Sequence, residues 1–303
     1  GDHRGNSLLE RFISQIAQQW ECTICIGTGN EGNSGKHKQG KLIKEEQKIL
    51  LDIAPFEQNL NLQIWKDFVD ELRIQLVSPS GISYEITDQQ GKSQYSYGNT
   101  IVFVYNGYPT PYNVRQEIFL SFIVQEGEHI ESGQWDLTLI PRNIRNGEYQ
   151  MWLPVSSGNN QETRFLEPDK EFTLTIPSTA ENVISAGAYD VRYQSYADFS
   201  GRGDQRYGVK KPDLVAPGVG ILAAAPGGGE NSLSGTSMAT PFVTGSAALL
   251  MEWGIIRKND PYLYGERIKA YFHKGARKMN GFWDYPNNEI GYGKLCVAAS
   301  LYK

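Results

Sequence analysis

Ser234-Gly235-Thr236-Ser237-Met238-Ala239-Thr240-Pro241 is the stretch on which the reading of this chain turns. Gly235 permits a tight backbone approach. The apolar positions Phe242, Val243, Ala247, Leu249 and Leu250 that follow predict a long helix from Ser237 through Trp253. Ser237 therefore opens a helix. A helix start presents N–H groups without intrahelical partners and the positive end of the dipole, so negative charge developing there is favoured. Acyl transfer develops such a charge on the oxyanion of its tetrahedral intermediate. Pro241 is expected near the first turn, where a missing N–H costs least. The small residues Ala239, Gly245, Ser246 and Ala247 allow close packing on a sheet. A lone serine at a helix start is also an ordinary N-cap, so the assignment needs support from the rest of the chain.

Working outward, two short apolar runs read as buried strands ending in turns, Val183 to Ala188 and Asp213 to Gly218, and a further helix is predicted over Tyr264 to His273. Near the start, Leu9, Phe12, Ile13, Ile16 and Trp20 recur at helical spacing and mark one apolar face. Cys22 to Ile26 then reads as a buried strand that runs into Gly27-Thr28-Gly29-Asn30-Glu31-Gly32. Helix, buried strand and Gly-rich loop make an α/β unit of a parallel sheet. Asn30 follows the carboxyl end of that strand, where open α/β sheets build their sites. Taken alone it is also a common turn residue.

Between these α/β segments the pattern changes to period two. Leu60, Leu62 and Ile64 alternate with polar residues, as do Leu72, Ile74 and Leu76, then Ile118, Leu120, Phe122 and Val124. Trp135, Leu137 and Leu139 repeat the pattern, followed by Tyr149, Met151 and Leu153. Such runs, separated by turns such as Ser78-Pro79-Ser80-Gly81, predict about eight antiparallel strands in a β-sandwich of jelly-roll type. The domains are expected at 1–38 (α/β core), 39–156 (inserted β-sandwich) and 157–303 (α/β core). Trp65, Trp135 and Trp152 fit sandwich packing better than a sugar-binding platform.

The octapeptide around Ser237 resembles the nucleophile segment of the subtilisin-like (S8) serine proteases. Gly29-Asn30-Glu31-Gly32 resembles that family's oxyanion-hole segment. Asn182-Val183-Ile184-Ser185-Ala186-Gly187-Ala188 and Lys211-Pro212-Asp213-Leu214-Val215-Ala216-Pro217-Gly218 match its structural stretches in order. A β-sandwich between the Asn and the Ser is similar to the jelly-roll insert of Csp-type clostridial subtilases. The resemblance implies a serine endopeptidase on an α/β subtilisin-like parallel sheet, with Ser237 as nucleophile and Asn30 and the Ser237 N–H as oxyanion donors. Gly27, Thr28 and Gly29 would then help line the pocket for the residue preceding the scissile bond. It further implies a peptide or protein substrate and an extracytoplasmic or spore-associated setting.

The departures carry as much weight. The family takes its base from a His-Gly-Thr segment and its orienting carboxylate from an Asp-Ser/Thr-Gly segment, and neither occurs here. His3, His37, His129 and His273 are expected to be surface residues. This chain is therefore expected to be inactive alone, with the parallel sheet incomplete, the N-terminal half of the domain missing and edges open to dimerisation. The alternative is a pseudoprotease scaffold that binds a protein partner.

Composition narrows the remaining classes. A net charge of −5 over 303 residues, with the signs interspersed, gives no reason to expect nucleic acid or an anionic membrane as partner. No apolar run approaches the roughly 18 residues that span a bilayer. Cys22, Cys25 and Cys296 read as buried structural thiols. No carboxylate cluster has a calcium-like spacing, so neither a metal nor a cofactor is expected. Arg202-Gly203-Asp204 is an adhesion-type tripeptide of a kind that arises by chance.

Overall fold

The computed structural model describes every residue except Gln89, Ser156, Ser157, Asn159, Gln205, Tyr207, Gly208, Val209, Tyr302 and Lys303. The boundary expected at 156 and 157 therefore falls outside the described residues. The chain divides into two compact units. One comprises Gly1–Asn33 with Glu171–Lys303, and the other is Ser34–Lys170.

The unit Ser34–Lys170 is all β. Among the described residues, one antiparallel sheet has five strands in the spatial order Arg164–Phe165, Gln47–Ile53, Gly133–Asn143, Glu71–Val77 and Ser83–Thr87. The other has six, in the order His37–Lys41, Glu148–Trp152, Asn59–Asp67, Arg115–Val124, Thr100–Asn106 and Gly91–Tyr97. The period-two residues do what their spacing requires: Leu60, Leu62, Ile64, Ile118, Leu120 and Phe122 from one sheet share a single core with Ile49, Leu51, Leu72, Ile74, Leu76 and Leu137 from the other. Trp135 lies at its centre, fully buried, with Tyr97 and Phe122 edge-on at 5.1 and 5.2 Å between ring centroids. Trp65 and Trp152 are buried too, at 8% and 5% exposure, so the three tryptophans are packing residues and form no open platform.

The other unit is α/β around a mixed sheet. Cys25–Gly27 and Leu214–Pro217 both run parallel to the central strand Ile184–Asp190, and Ser195–Tyr196 pairs with its end antiparallel. Ile184, Ala186, Ala188, Leu214 and Ala216 pack against Ala239, Val243, Ala247 and Leu250 of the helix Thr236–Met251, with Ile268 and Phe272 of the helix Gly265–Gly275. Ser246 is buried as its small size allows, whereas Gly245 is exposed.

Several local expectations need correction. The strand after the first helix is only Cys25–Gly27 and is half-buried; Cys22 precedes it, and all three cysteines are free and half-buried. Helix Thr236–Met251 continues through one π-type turn, Glu252–Ile256. That 21-residue stretch is long and apolar enough to cross a membrane, which no run in the sequence was expected to be. Its inner face is the core packing just described.

The first helix, Leu8–Gln19, begins with a capping box in which the Ser7 hydroxyl accepts from the Glu10 N–H and Glu10 Oε2 accepts from the Ser7 N–H at 3.1 Å. Part of its apolar stripe faces outward: Leu9, Phe12 and Trp20 are 52%, 60% and 74% exposed, whereas Ile13 and Ile16 are half-buried. Cys25–Gly27 likewise has a strand partner on one side only, among the described residues.

Candidate active site

Two segments far apart in sequence meet where the helix Thr236–Met251 begins. Past the strand Cys25–Gly27, the Thr28 N–H donates to Ala186 O at 3.1 Å, and Thr28 O accepts from the Thr175 N–H at 2.9 Å. Gly29 then turns the chain with φ +89°, and a Cβ there would lie 2.4 Å from the Thr175 side chain. Only glycine makes that turn without displacing Thr175. Gly27 meets a different demand: its Cβ would lie 3.0 Å from the hydroxyls of both Thr236 and Thr240, so the first helical turn presses directly on the strand backbone.

These contacts fix the Asn30 amide. The Thr236 N–H donates to Asn30 Oδ1 at 2.9 Å. A backbone N–H can only donate, so the amide atom facing it is the oxygen. The Thr236 hydroxyl donates to the same oxygen at 3.3 Å and accepts from the Gly29 N–H at 3.1 Å. Asn30 Nδ2 keeps both hydrogens, with no acceptor among the described residues.

Ser237 is the second residue of the helix and is exposed. Its hydroxyl and its N–H have no hydrogen-bond partner among the described residues, as the first N–H groups of a helix lack an intrahelical acceptor; those of Met238 and Ala239 turn back to Gly235 O at 3.0 and 3.3 Å. Pro241 is the sixth helical residue, one position deeper than expected because the helix begins at Thr236. It removes the N–H that would otherwise reach the Ser237 carbonyl.

A depression of about 600 Å³ opens over these groups, lined among others by Gly27, Gly29, Asn30, Thr236 and Ser237. Thr28 lies behind it, fully buried, with its hydroxyl 3.3 Å from that of Ser200. Cys25, Thr175 and Thr236 are among the lining residues that sequence reasoning missed. Thr236 stood inside the quoted octapeptide, and its place next to Ser237 was the legible signal. Thr175 carried none. Burial raises the Cys25 thiol above its ordinary pKa, so it is a neutral group there.

Among the described residues, no histidine or carboxylate lines this depression. His3 Nδ1 donates to Leu174 O at 2.6 Å. His37, expected at the surface, is 1% exposed, bonded to Gln150 Oε1 at 2.9 Å and stacked on Trp152. His273 is likewise not a free surface group: Nε2 lies 3.0 Å from Asp213 Oδ1 and the ring stacks on Tyr292 at 3.8 Å. The adhesion-type tripeptide is tied down as well. Arg202 pairs with Glu289 at 2.9 Å, and Asp204 is buried and paired with Arg206.

The family model for the subtilases matches residues 124–293. The solved structure of the Clostridium perfringens CspB protease is 40% identical, with a TM-score of 0.92 over 99% of this chain and 63% of that one. Serine protease AprX of Bacillus subtilis is 33% identical over 167 residues, 48% of this chain and 34% of that protein. Subtilisin-like protease 1 of Trichophyton equinum is 42% identical over 106 residues, 34% of this chain and 18% of that protein. The chain thus matches about a third of the first of these curated relatives and under a fifth of the second. With the family model matching more than half of its residues and the fold shared along nearly its whole length, the chain belongs to the subtilase family.

Proposed function

We propose that this chain is part of a serine endopeptidase that hydrolyses peptide bonds through an acyl-enzyme, with Ser237 as nucleophile. The observation that carries the reading is the pair of idle donors beside an exposed serine. Asn30 Nδ2, oriented by Thr236, and the Ser237 N–H are both unengaged at the positive end of one helix. Donors fixed in advance stabilise an oxyanion without reorganising during the reaction. Gly27 and Gly29, with Thr175, shape the depression in which the residue preceding the scissile bond would sit.

A serine hydroxyl of ordinary basicity needs a neighbouring base. None of the four histidines fills that role, so we assign the base and its orienting carboxylate to a segment outside residues 1–303. The same segment would complete the sheet at Cys25–Gly27 and cover the apolar stripe Leu9, Phe12 and Trp20. Without it, those faces favour self-association. We read residues 39–156 as a jelly-roll insert with its own core. The test is hydrolysis of a peptide substrate by residues 1–303 and by the protein carrying the upstream segment. The account expects none from the former and, from the latter, cleavage that Ser237→Ala abolishes. Cleavage by residues 1–303 that depends on Ser237 would contradict the assignment of the base. A folded longer protein that cleaves nothing would favour a partner-binding scaffold.

A further inference from the structure

A second concavity, of about 760 Å³, is set apart by its charge. Arg4, Arg11, Lys210, Lys211 and Lys269 line it, against Glu181 and Asp213 as the lining carboxylates. A chain of net charge −5 thus gathers five of its cationic side chains around one hollow. Like charges brought together around a low-dielectric wall repel one another, and the resulting field attracts counter-ions.

Two of the five cations are paired at the floor. Lys211 Nζ donates to Asp213 Oδ2 at 3.0 Å, Val183 O at 2.9 Å and Ser185 Oγ at 2.8 Å. Lys269 Nζ donates to Glu181 O at 2.8 Å and Glu266 Oε1 at 3.1 Å, and lies 3.8 Å from Asp213 Oδ1. One buried carboxylate therefore faces two ammonium groups and His273. Burial lowers the Lys211 pKa, Asp213 opposes the shift, and Lys269 adds to it, so the repulsion is felt at the floor itself. Above it stand two guanidinium groups, Arg4 and Arg11, whose planar forks match oxyanions. Asn6, Gln15 and Gln18 contribute neutral amide donors to the same wall.

We propose that this hollow binds a small multivalent oxyanion, a phosphate or a di- or tricarboxylate. Arg11 and Lys210 are exposed at its rim, so their replacement is expected to leave the fold intact, which circular dichroism of the variants checks. The experiment is calorimetric titration of the protein with sodium phosphate and, separately, with citrate, at an ionic strength held constant with chloride. Saturable 1:1 binding of either anion is expected, at least tenfold weaker in the Arg11→Ala/Lys210→Ala double variant and recovered in Arg11→Lys/Lys210→Arg. Preference between the two anions assigns the ligand to the phosphate or the carboxylate class. Absence of saturable binding to both, or an affinity unchanged in the alanine double variant, overturns the proposal.

Discussion

The Thr236 backbone N–H and the Asn30 side-chain oxygen lie 2.9 Å apart, and this single bond decides which end of the Asn30 amide is free. The helix that carries Ser237 thereby orients the residue proposed to assist it. Because the Thr236 hydroxyl also accepts from the Gly29 N–H, the turn and the helix start are held by one side chain.

Thr236→Val keeps the branched shape and removes the hydroxyl. Thr236 is buried, so the Gly29 N–H loses its acceptor at a cost of about 1–3 kcal/mol in stability. In the longer parent protein of the proposed function, kcat should fall by about tenfold with little change in KM, because the hydroxyl positions a donor proposed to act in the transition state. Steady-state kinetics beside urea denaturation separate the two effects.

Asn30→Leu removes the donor itself. The expected loss is about 100- to 1000-fold in kcat. That range is the one known for removing an oxyanion-hole asparagine of a subtilisin, and it is carried over by similarity. KM should stay within about threefold. A large rise in KM with kcat unchanged would show that Asn30 binds the ground state instead.

Asp213 contributes to the acid limb of stability. Burial alone would raise its carboxyl pKa, but Lys211, His273 and Lys269 outweigh burial and hold it well below the usual carboxylate range. As pH falls below about 4, the unfolded chain takes up this proton before the folded one does, so the stability the group contributes at neutral pH is progressively lost. Asp213→Asn should cost about 3–5 kcal/mol at pH 7, since it leaves Lys211 charged and buried, and should flatten the pH dependence below pH 4. Urea denaturation at pH 7, 5 and 3 measures both.

Trp135→Ala should destabilise the unit Ser34–Lys170 by about 3–5 kcal/mol, because Tyr97 and Phe122 are left facing a void. Trp135→Phe should cost less. Denaturation followed by far-UV circular dichroism avoids the loss of the fluorophore.

The parts of this molecule that were legible in sequence are those in which neighbours along the chain share a fate. Leu60, Leu62 and Ile64 alternate because one face of their strand is buried, and all three are fully buried. Sheet order was not legible: Leu137 pairs with Ile49 on one side and Leu76 on the other, and no turn signal links those strands. At the site, the octapeptide disclosed the helix start, but Thr175 enters through the backbone of Thr28 and has no local signature. His37 and His273 were misplaced for the same reason, since their burial depends on Gln150, Asp213 and Tyr292. The stripe Leu9, Phe12 and Trp20 shows the converse. Periodicity located an apolar face without saying whether anything covers it.

Fluorophosphonate labelling of the parent, followed by mass spectrometry of the peptide containing Ser237, decides whether Ser237 is an activated nucleophile in the assembled protein. The account predicts covalent modification at Ser237 that is absent in Ser237→Ala. A folded parent that leaves Ser237 unmodified would contradict it.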